Sequence, residues 1–134
     1  MLNSKFYFMQ YLLAGNSQTD ADVLRKLAAS PHAIIRRRVA ENSTTPFSTL
    51  NSLLDDENTE VRQSLSSNPA LPKVFLMQLA LDESLDVRYA LAEDARIPQT
   101  ILSILSRDDN PYVADRAART LERLAQPHHL AMAG

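Results

Sequence analysis

Charged side chains recur at one fixed interval along this 134-residue chain. Three arginines are equally spaced at Arg36, Arg62 and Arg88, and three aspartates keep the same spacing at Asp56, Asp82 and Asp108. Such a row of guanidinium groups could bind phosphates, or each could pair with an aspartate of its own or the adjacent repeat. A phosphate-binding row would not need a matched row of aspartates, so the pattern favours a structural ladder, with Asp56 and Asp82 as candidates for Arg62.

A second polar row keeps the same interval at Asn16, Asn42, Asn68 and Asp94. Side-chain amides in such a row can satisfy the backbone groups of turns, so a structural role is predicted here too. The predicted structural ladder comprises Arg36, Arg62, Arg88, Asp56, Asp82, Asp108, Asn42, Asn68 and Asp94. The run Asn42-Ser43-Thr44 also matches a glycosylation sequon, which we interpret as accidental.

Two basic clusters fall partly outside these rows. One is Arg36, Arg37 and Arg38, and the other is a helical stripe formed by Arg116, Arg119 and Arg123. Either cluster could contact nucleic acid or an acidic protein, but such charges usually form a solvated helix face. Binding of single strands normally uses interleaved aromatic residues, and only Tyr89 and Tyr112 are placed for that purpose. Arg37, one position off the repeat row, is expected to face solvent.

The composition excludes several kinds of chemistry. The absence of cysteine rules out disulfides, a thiolate nucleophile and cysteine-ligated metals, and two glycines are too few for phosphate-binding loops. An isolated His32 and the tail pair His128–His129 do not supply metal ligands at a defined spacing. We therefore predict no catalytic, cofactor-binding or metal-binding residue and no cofactor. The formal charge of −2 gives no overall attraction for nucleic acid or anionic lipid.

The elements that carry these rows are predicted from apolar residues at the same interval. One column reads Met9, Ile35, Val61, Val87 and Val113, and a second, four residues later, reads Leu13, Val39, Leu65, Leu91 and Ala117. A spacing of four places both columns on one face of a short helix. Asn58, Ser84 and Asn110 are suited to cap that helix, with Pro111 in its first turn, and Asn68 to end it in a left-handed conformation. Pro72 is expected to occupy the first position of a second helix.

Two short helices cannot bury their apolar faces alone, whereas a stack of identical units can. The sequence thus predicts an all-α, right-handed α-solenoid of about five two-helix repeats in a single domain, 1–134. Its parts are an N-terminal capping unit 1–34, repeats 35–60, 61–86 and 87–112, a C-terminal capping unit 113–125 and a tail 126–134. The apolar N-terminal run could be a signal peptide, but its match to the repeat favours a capping helix. No segment has the length of a membrane span, so a soluble cytoplasmic protein is expected.

The run VRQSLSSNPALPKVFLMQLALDESLDVRYALA resembles the leucine-rich repeat variant family. It is also similar to HEAT repeats, because Asp56 precedes Arg62 by six residues and Asp82 precedes Arg88 likewise. The resemblance covers residues 9 to 125, with departures at Ala114, Thr120 and Leu124. It implies an interaction scaffold whose second helices line a concave binding face. The residues that it places on this face are Arg25, Lys26, Asn51, Ser52, Lys73, Met77, Gln78, Gln99, Thr100 and Ser103.

The function expected from these patterns is a non-enzymatic protein–protein interaction scaffold, or an accessory factor of a bacterial-type cytoplasmic protein, that binds a peptide or protein. The mostly uncharged side chains of the binding face suit a protein better than DNA. The alternative is a nucleic-acid-binding HEAT-like protein that uses the arginine-rich positions. A third class, an enzyme such as a HEAT-like lyase, would need a ligand cleft.

Overall fold

Residues 4–126 are the part of the chain that the computed structural model describes, and they form nine α-helices and no strand. The all-helical prediction is confirmed. The helices are α1 (Ser4–Gly15), α2 (Ala21–Leu27), α3 (Ala33–Glu41), α4 (Phe47–Leu53), α5 (Thr59–Leu65), α6 (Lys73–Leu79), α7 (Leu85–Ala92), α8 (Gln99–Leu105) and α9 (Pro111–Leu124). The odd-numbered series from α3 begins at 33, 59, 85 and 111, and the even-numbered series at 21, 47, 73 and 99, so both advance by the same constant step.

The odd-numbered helices from α5 onward begin at the predicted caps. The side-chain oxygen of Asn58 accepts from the backbone N–H groups of Glu60 and Val61, and Asn110 does the same at the start of α9. Ser84 accepts one such bond at the start of α7. These bonds satisfy N–H groups that have no partner within the helix, which explains why each helix begins at that residue.

The prolines of the even-numbered helices lie one residue earlier than predicted. Pro46 and Pro98 are N-cap residues with extended backbone, at ψ of 153° and 139°, and α6 begins after Pro72. The prediction that Pro72 occupies the first position of α6 is therefore wrong, whereas Pro111 lies in the first turn of α9 as predicted. A proline ring permits the extended conformation at its fixed φ, and its carbonyl still accepts the first bond of the helix, as that of Pro46 does from the Leu50 N–H at 3.0 Å.

The predicted left-handed helix end at asparagine is also wrong. Asn42, which ends α3, has extended backbone at φ −77° and ψ 118°. No residue within the described range, glycine included, has a positive φ. The side chain of Asn42 instead satisfies carbonyl groups at the end of α1, those of Ala14 and Asn16.

The contacts of the chain cluster in two compact units that divide between Phe75 and Leu76, inside α6. In the first unit, α3 packs between α1 and α5, while α2 and α4 each contact the helix before and the helix after them. In the second unit, α7, α8 and α9 contact one another. Within each unit the odd-numbered helices therefore lie side by side, and an even-numbered helix bridges each neighbouring pair.

The apolar columns form the core, except in the first helix. Ile35 and Val39 in α3 are completely buried, as are the corresponding pairs in α5, α7 and α9. Complete burial of such a side chain stabilises the fold by about 1.5–3 kcal/mol. In contrast, Met9 and Leu13 of α1, which occupy the same columns, are 56% and 39% exposed.

The asparagine row joins the ends of successive odd-numbered helices. The Nδ2 of Asn42 donates to the carbonyls of Ala14 and Asn16, both at 2.9 Å. The Nδ2 of Asn68 repeats this with the carbonyls of Ala40 and Asn42, at 2.9 and 3.0 Å. Both asparagines are buried. Each amide therefore hydrogen-bonds its own turn to the corresponding turn of the preceding repeat, 26 residues earlier.

Threonine takes this role at the last helix. The departure from the repeat at position 120 places a hydroxyl where an amide is otherwise used, and Thr120 Oγ1 donates to the carbonyl of Ala92 at 2.6 Å. The acceptor lies 28 residues before the donor, as Ala40 does for Asn68. The substitution therefore preserves one of the two bonds of the row.

We expect Asn68→Ala to lower the free energy of unfolding by about 2–3 kcal/mol, because two buried carbonyl groups lose their donor. Urea denaturation followed by circular dichroism measures the change. The matched control is Ser67→Ala, since Ser67 is the exposed neighbour and its replacement should change stability by less than about 0.5 kcal/mol. Equal unfolding midpoints for the two variants would contradict the proposed role of the amide.

Candidate functional site

The predicted ladder residues form bidentate ion pairs within each unit. Arg36 donates through Nε and Nη2 to Asp56, at 2.8 and 3.1 Å, and Arg88 donates in the same way to Asp108, at 2.8 and 3.3 Å. In each pair the aspartate lies 20 residues after the arginine. The four side chains are at most 18% exposed. Planar, partly buried pairs of this kind are geometrically specific, so these groups have little freedom to bind a ligand.

Each arginine of the row also serves the backbone. The Nη1 atoms of Arg36, Arg62 and Arg88 donate to the carbonyl six residues earlier, at 2.7–2.8 Å. Arg62 is itself buried. The arginine row is thus part of the framework at every position where it occurs.

The aspartates of the row shape the turn in which they lie. Asp56, Asp82 and Asp108 each accept a bond through Oδ1 from the backbone N–H two residues later, at 2.8–2.9 Å. Ser30 does the same through its hydroxyl, which accepts from the His32 N–H at 3.1 Å. One carboxylate therefore fixes the start of the next helix while it pairs with an arginine.

The ion pairs shift the ionisation of their members. The hydrogen bond to Asp56 raises the pKa of Arg36 above its ordinary value. Burial by itself would raise the pKa of Asp108, but hydrogen bonds from Arg88 and from the Asn110 N–H outweigh it, so this pKa lies below its ordinary value. Both shifts favour the charged pair at neutral pH.

Asp94 differs from the asparagines of its row, because a carboxylate has no hydrogen to donate. It accepts instead from the Nε and Nη2 of Arg96, at 3.1 and 2.8 Å, and from the Arg96 N–H. The side-chain bond from Arg96 lowers the pKa of Asp94. Arg96 is exposed, so this local pair lies at the surface.

The first basic cluster is engaged within the protein. Besides the Arg36–Asp56 pair, the guanidinium of Arg38 lies 4.3 Å from the centre of the Tyr11 ring and donates to the Tyr11 carbonyl at 3.4 Å. Gly15 leaves room for it, because a Cβ there would collide with the guanidinium.

Arg37 is the least constrained member of this cluster. Its side chain is 40% exposed and reaches Glu60 and Ser64 only at 3.4 Å. It therefore lies partly in solvent, as its position off the repeat row predicts. Long contacts of this kind contribute little to stability.

The second basic cluster is less uniform than its spacing implies. Arg119 pairs with Asp115 at 2.8 Å on the exposed side of α9. Arg123 is exposed, whereas the buried Nε of Arg116 has no hydrogen-bond partner within residues 4–126. The three arginines therefore do not form one uniform face.

The predicted binding residues all lie at the surface. Each even-numbered helix exposes its first, second, fifth and sixth residues, which share one side of a helix. The predicted residues Arg25, Lys26, Asn51, Ser52, Lys73, Met77, Gln78, Gln99, Thr100 and Ser103 are all exposed and all occupy these positions. We call these four positions of α2, α4, α6 and α8 the even-helix face.

Sequence reasoning missed the apolar part of the even-helix face. Phe47, Val74 and Ile104 are exposed there together with Met77, and the ring of Phe47 lies 4.6 Å from that of the buried Phe75. They could have been found from the sequence, because each occupies the column of a predicted binding residue in the adjacent repeat. Their presence makes the face amphipathic.

A groove of about 420 Å³ lies in the second unit. Its lining includes the Arg88–Asp108 pair together with Leu81, Arg107 and Ile104. The two central charges are already paired with each other, so the chemistry of this groove is that of a polar surface depression.

Metal-ligating side chains do not gather in the described part of the chain. No group of three or more histidine, aspartate or glutamate residues within 4–126 could hold a metal ion. The ring of His32 packs edge-on against Tyr7, with centroids 4.9 Å apart, while His128 and His129 lie outside the described residues. Among the described helices, none combines the length and apolar character needed to cross a bilayer.

We expect Arg88→Ala to lower the free energy of unfolding by about 3 kcal/mol, because it leaves the carboxylate of Asp108 mostly buried without its partner. Arg37→Ala is the matched control and should cost no more than about 0.5 kcal/mol. The double variant Arg88→Ala/Asp108→Asn should recover part of the loss, since no charge is then stranded. Identical melting temperatures for Arg88→Ala, Arg37→Ala and the parent would show that the pair is not structural.

The lowered pKa of Asp108 predicts a specific loss of stability in acid. The unfolded carboxyl has a pKa of about 3.9, so the pair stabilises the fold above that pH and stops doing so as the pH falls through the lower folded value. Asp108→Asn should be destabilising at pH 7, and its difference from the parent should shrink below about pH 4. Urea denaturation at several pH values tests this, with the exposed Asp109→Asn as control. A difference independent of pH would contradict it.

No family model, curated protein or solved structure matches the chain. Its resemblance to the leucine-rich repeat variant and HEAT families stays an expectation that rests on the repeat columns.

Proposed function

We propose that this chain is a non-enzymatic interaction module that binds a peptide or protein segment on its even-helix face. In this proposal the two-helix layers stack as a right-handed α-solenoid, so that α2, α4, α6 and α8 line one continuous concave surface. Two findings support the stack. Helix starts recur at a constant interval, and the asparagine amides fasten each turn to its predecessor within the first unit.

The observation that carries the proposal is the contrast between buried positions that recur in every layer and exposed positions that vary. The recurring apolar positions are mostly buried, and the recurring arginines, aspartates and asparagines are mostly held by hydrogen bonds within the protein. In contrast, the same four positions of every even-numbered helix face solvent. Side chains at these exposed positions differ from layer to layer. Such positions are free to vary for recognition, because the fold does not depend on them.

The chemistry of the even-helix face suits a polypeptide. Amides and hydroxyls such as those of Asn51, Gln78 and Thr100 can bond to a peptide backbone, and Val74 and Met77 offer apolar contact beside them. The four face positions of α4, and likewise those of α8, carry no charged residue. A surface that binds an apolar or mixed segment without strong charge selection fits this composition.

Nucleic acid is the weaker alternative. Phosphate binding requires several lysine or arginine contacts. The even-helix face offers Arg25, Lys26 and Lys73, and Arg25 pairs with Asp22 at 3.2 Å. Elsewhere Arg36, Arg38, Arg88 and Arg119 are held by partners within the protein.

Affinity capture with the full chain, followed by mass spectrometry and titration of the purified partner, tests the proposal. Asn51→Glu, Met77→Glu and Ser103→Glu each place a charge at the same face position in a different layer. If these layers line one surface, all three should weaken binding of the same partner, with Met77→Glu reducing affinity at least about tenfold. Tyr112→Glu is the matched control, because Tyr112 is a highly exposed residue of α9.

The outcomes separate the two functions. Affinity unchanged in the three face variants would reject the even-helix face as the binding surface. Retardation of DNA or RNA at low salt, lost in Arg116→Ala/Arg123→Ala but kept in Met77→Glu, would support the nucleic-acid alternative. Circular dichroism of each variant verifies that the helices are retained.

A further inference from the structure

Helix α1 exposes a contiguous apolar face. Phe8, Met9, Leu12 and Leu13 are 57%, 56%, 49% and 39% exposed, and Phe6 extends the face by one turn with 55% exposure. At 100° per residue these side chains occupy one side of the helix. We call this set the α1 face. The only charged residue beside it on the helix is Lys5.

The opposite side of α1 already packs on the protein. Ala14 is completely buried, Tyr7, Gln10 and Tyr11 are half-buried, and the helix contacts α2 and α3. A helix that is apolar on all sides is normally buried on all sides. Met9 and Leu13 also occupy the two columns that are completely buried in α3, α5, α7 and α9. The α1 face therefore has the composition of a packing surface, not of a solvated one.

The α1 face of a second copy is a complement of the same apolar character. The exposed side of α9 carries Asp115, Glu122, Arg119 and Arg123, so packing α9 on the apolar α1 face would remove these charges from water without compensation. Contact of the α1 face with its own copy removes no charge. We propose that the α1 face binds a second copy of this chain, with the two α1 helices antiparallel about a two-fold axis.

The charge of Lys5 selects the antiparallel arrangement. An axis midway between Met9 and Leu12 places Met9 of one copy opposite Leu12 of the other, and Phe8 opposite Leu13. The two Lys5 residues are then about 16 Å apart along the helices, beyond the screening length of about 8–10 Å. Each also lies near the carboxyl end of the other α1 helix, where a cation is favoured. A parallel pair would place the two lysines side by side.

The α1 face has the area of a weak homodimer interface. A fully buried aromatic side chain removes about 150–250 Å², so the half-exposed residues of the α1 face offer on the order of 400 Å² per copy. Two copies would bury roughly 800 Å² of apolar surface, and rim residues bring this toward the lower limit of about 1,200 Å² for stable interfaces. The expected association is therefore reversible and dependent on protein concentration.

Sedimentation velocity over a wide concentration range tests the dimer. The full chain should shift from the 15.0 kDa monomer toward twice that mass as the concentration rises. Met9→Glu and Leu12→Gln should each weaken association at least about tenfold. Tyr112→Glu is the control, because Tyr112 is 75% exposed on α9, outside both the α1 face and the even-helix face, and it should leave association unchanged. Circular dichroism identifies any variant that fails to fold. If either Met9→Glu or Leu12→Gln does so, the other one tests the dimer.

The absence of cysteine from the chain permits a second readout. Met9→Cys should be joined into dimers by a bis-maleimide of about 10 Å, the interaxial distance of packed helices, whereas Tyr112→Cys should not. A chain that stays monomeric at every concentration would overturn the proposal, as would equal weakening of association by Met9→Glu and Tyr112→Glu. Binding of monomers to phosphatidylglycerol-containing vesicles, abolished by Met9→Glu, would assign the α1 face to lipid instead. None of these results depends on the even-helix face, so the proposed function is tested separately.

Discussion

Hydrogen bonding between successive turns is the constraint on which this structure depends. Helices α2, α4, α5, α6 and α8 have only seven residues each, a length at which an isolated helix is unstable in water. Each must therefore gain its stability from neighbours, and the polar groups at its ends must be satisfied there. Arg36 and Arg62 donate to the carbonyls of Ser30 and Asp56, in the turns after α2 and α4. Asn42 and Asn68 do the same for carbonyls at the ends of α1 and α3.

This constraint also determines where recognition can occur. Side chains that bond to the backbone of a neighbouring turn cannot be replaced without loss of stability, so the framework columns are nearly constant from layer to layer. Four positions of each even-numbered helix are exposed, and their side chains differ from layer to layer. The same reasoning singles out α1, whose exposed columns have no neighbouring layer among the described helices.

The sequence predicted the features that repeat and failed on those that depend on local geometry. The constant interval was enough to predict the helices, because the same residues must do the same task in each layer. It could not predict that Pro46 caps a helix and does not enter it, since the proline ring is compatible with both positions. Nor could it predict that the guanidinium of Arg38 packs against Tyr11 and Gly15, because this pair of residues is not repeated in the other layers. For the binding face, the columns identified the exposed positions, and Phe47 and Val74 were missed although each occupies the column of a predicted residue in the adjacent repeat.

The asparagine hydrogen bonds and the arginine–aspartate ion pairs run in opposite directions along the chain. An asparagine amide donates to carbonyls that precede it by 26 and 28 residues. In contrast, Arg36 and Arg88 pair with aspartates that follow them by 20 residues. During synthesis from the amino terminus, each asparagine therefore emerges after its acceptors, and each of these arginines emerges before its counterion. In a growing chain Arg88 can therefore bond to the Asp82 carbonyl before its counterion Asp108 has been synthesised.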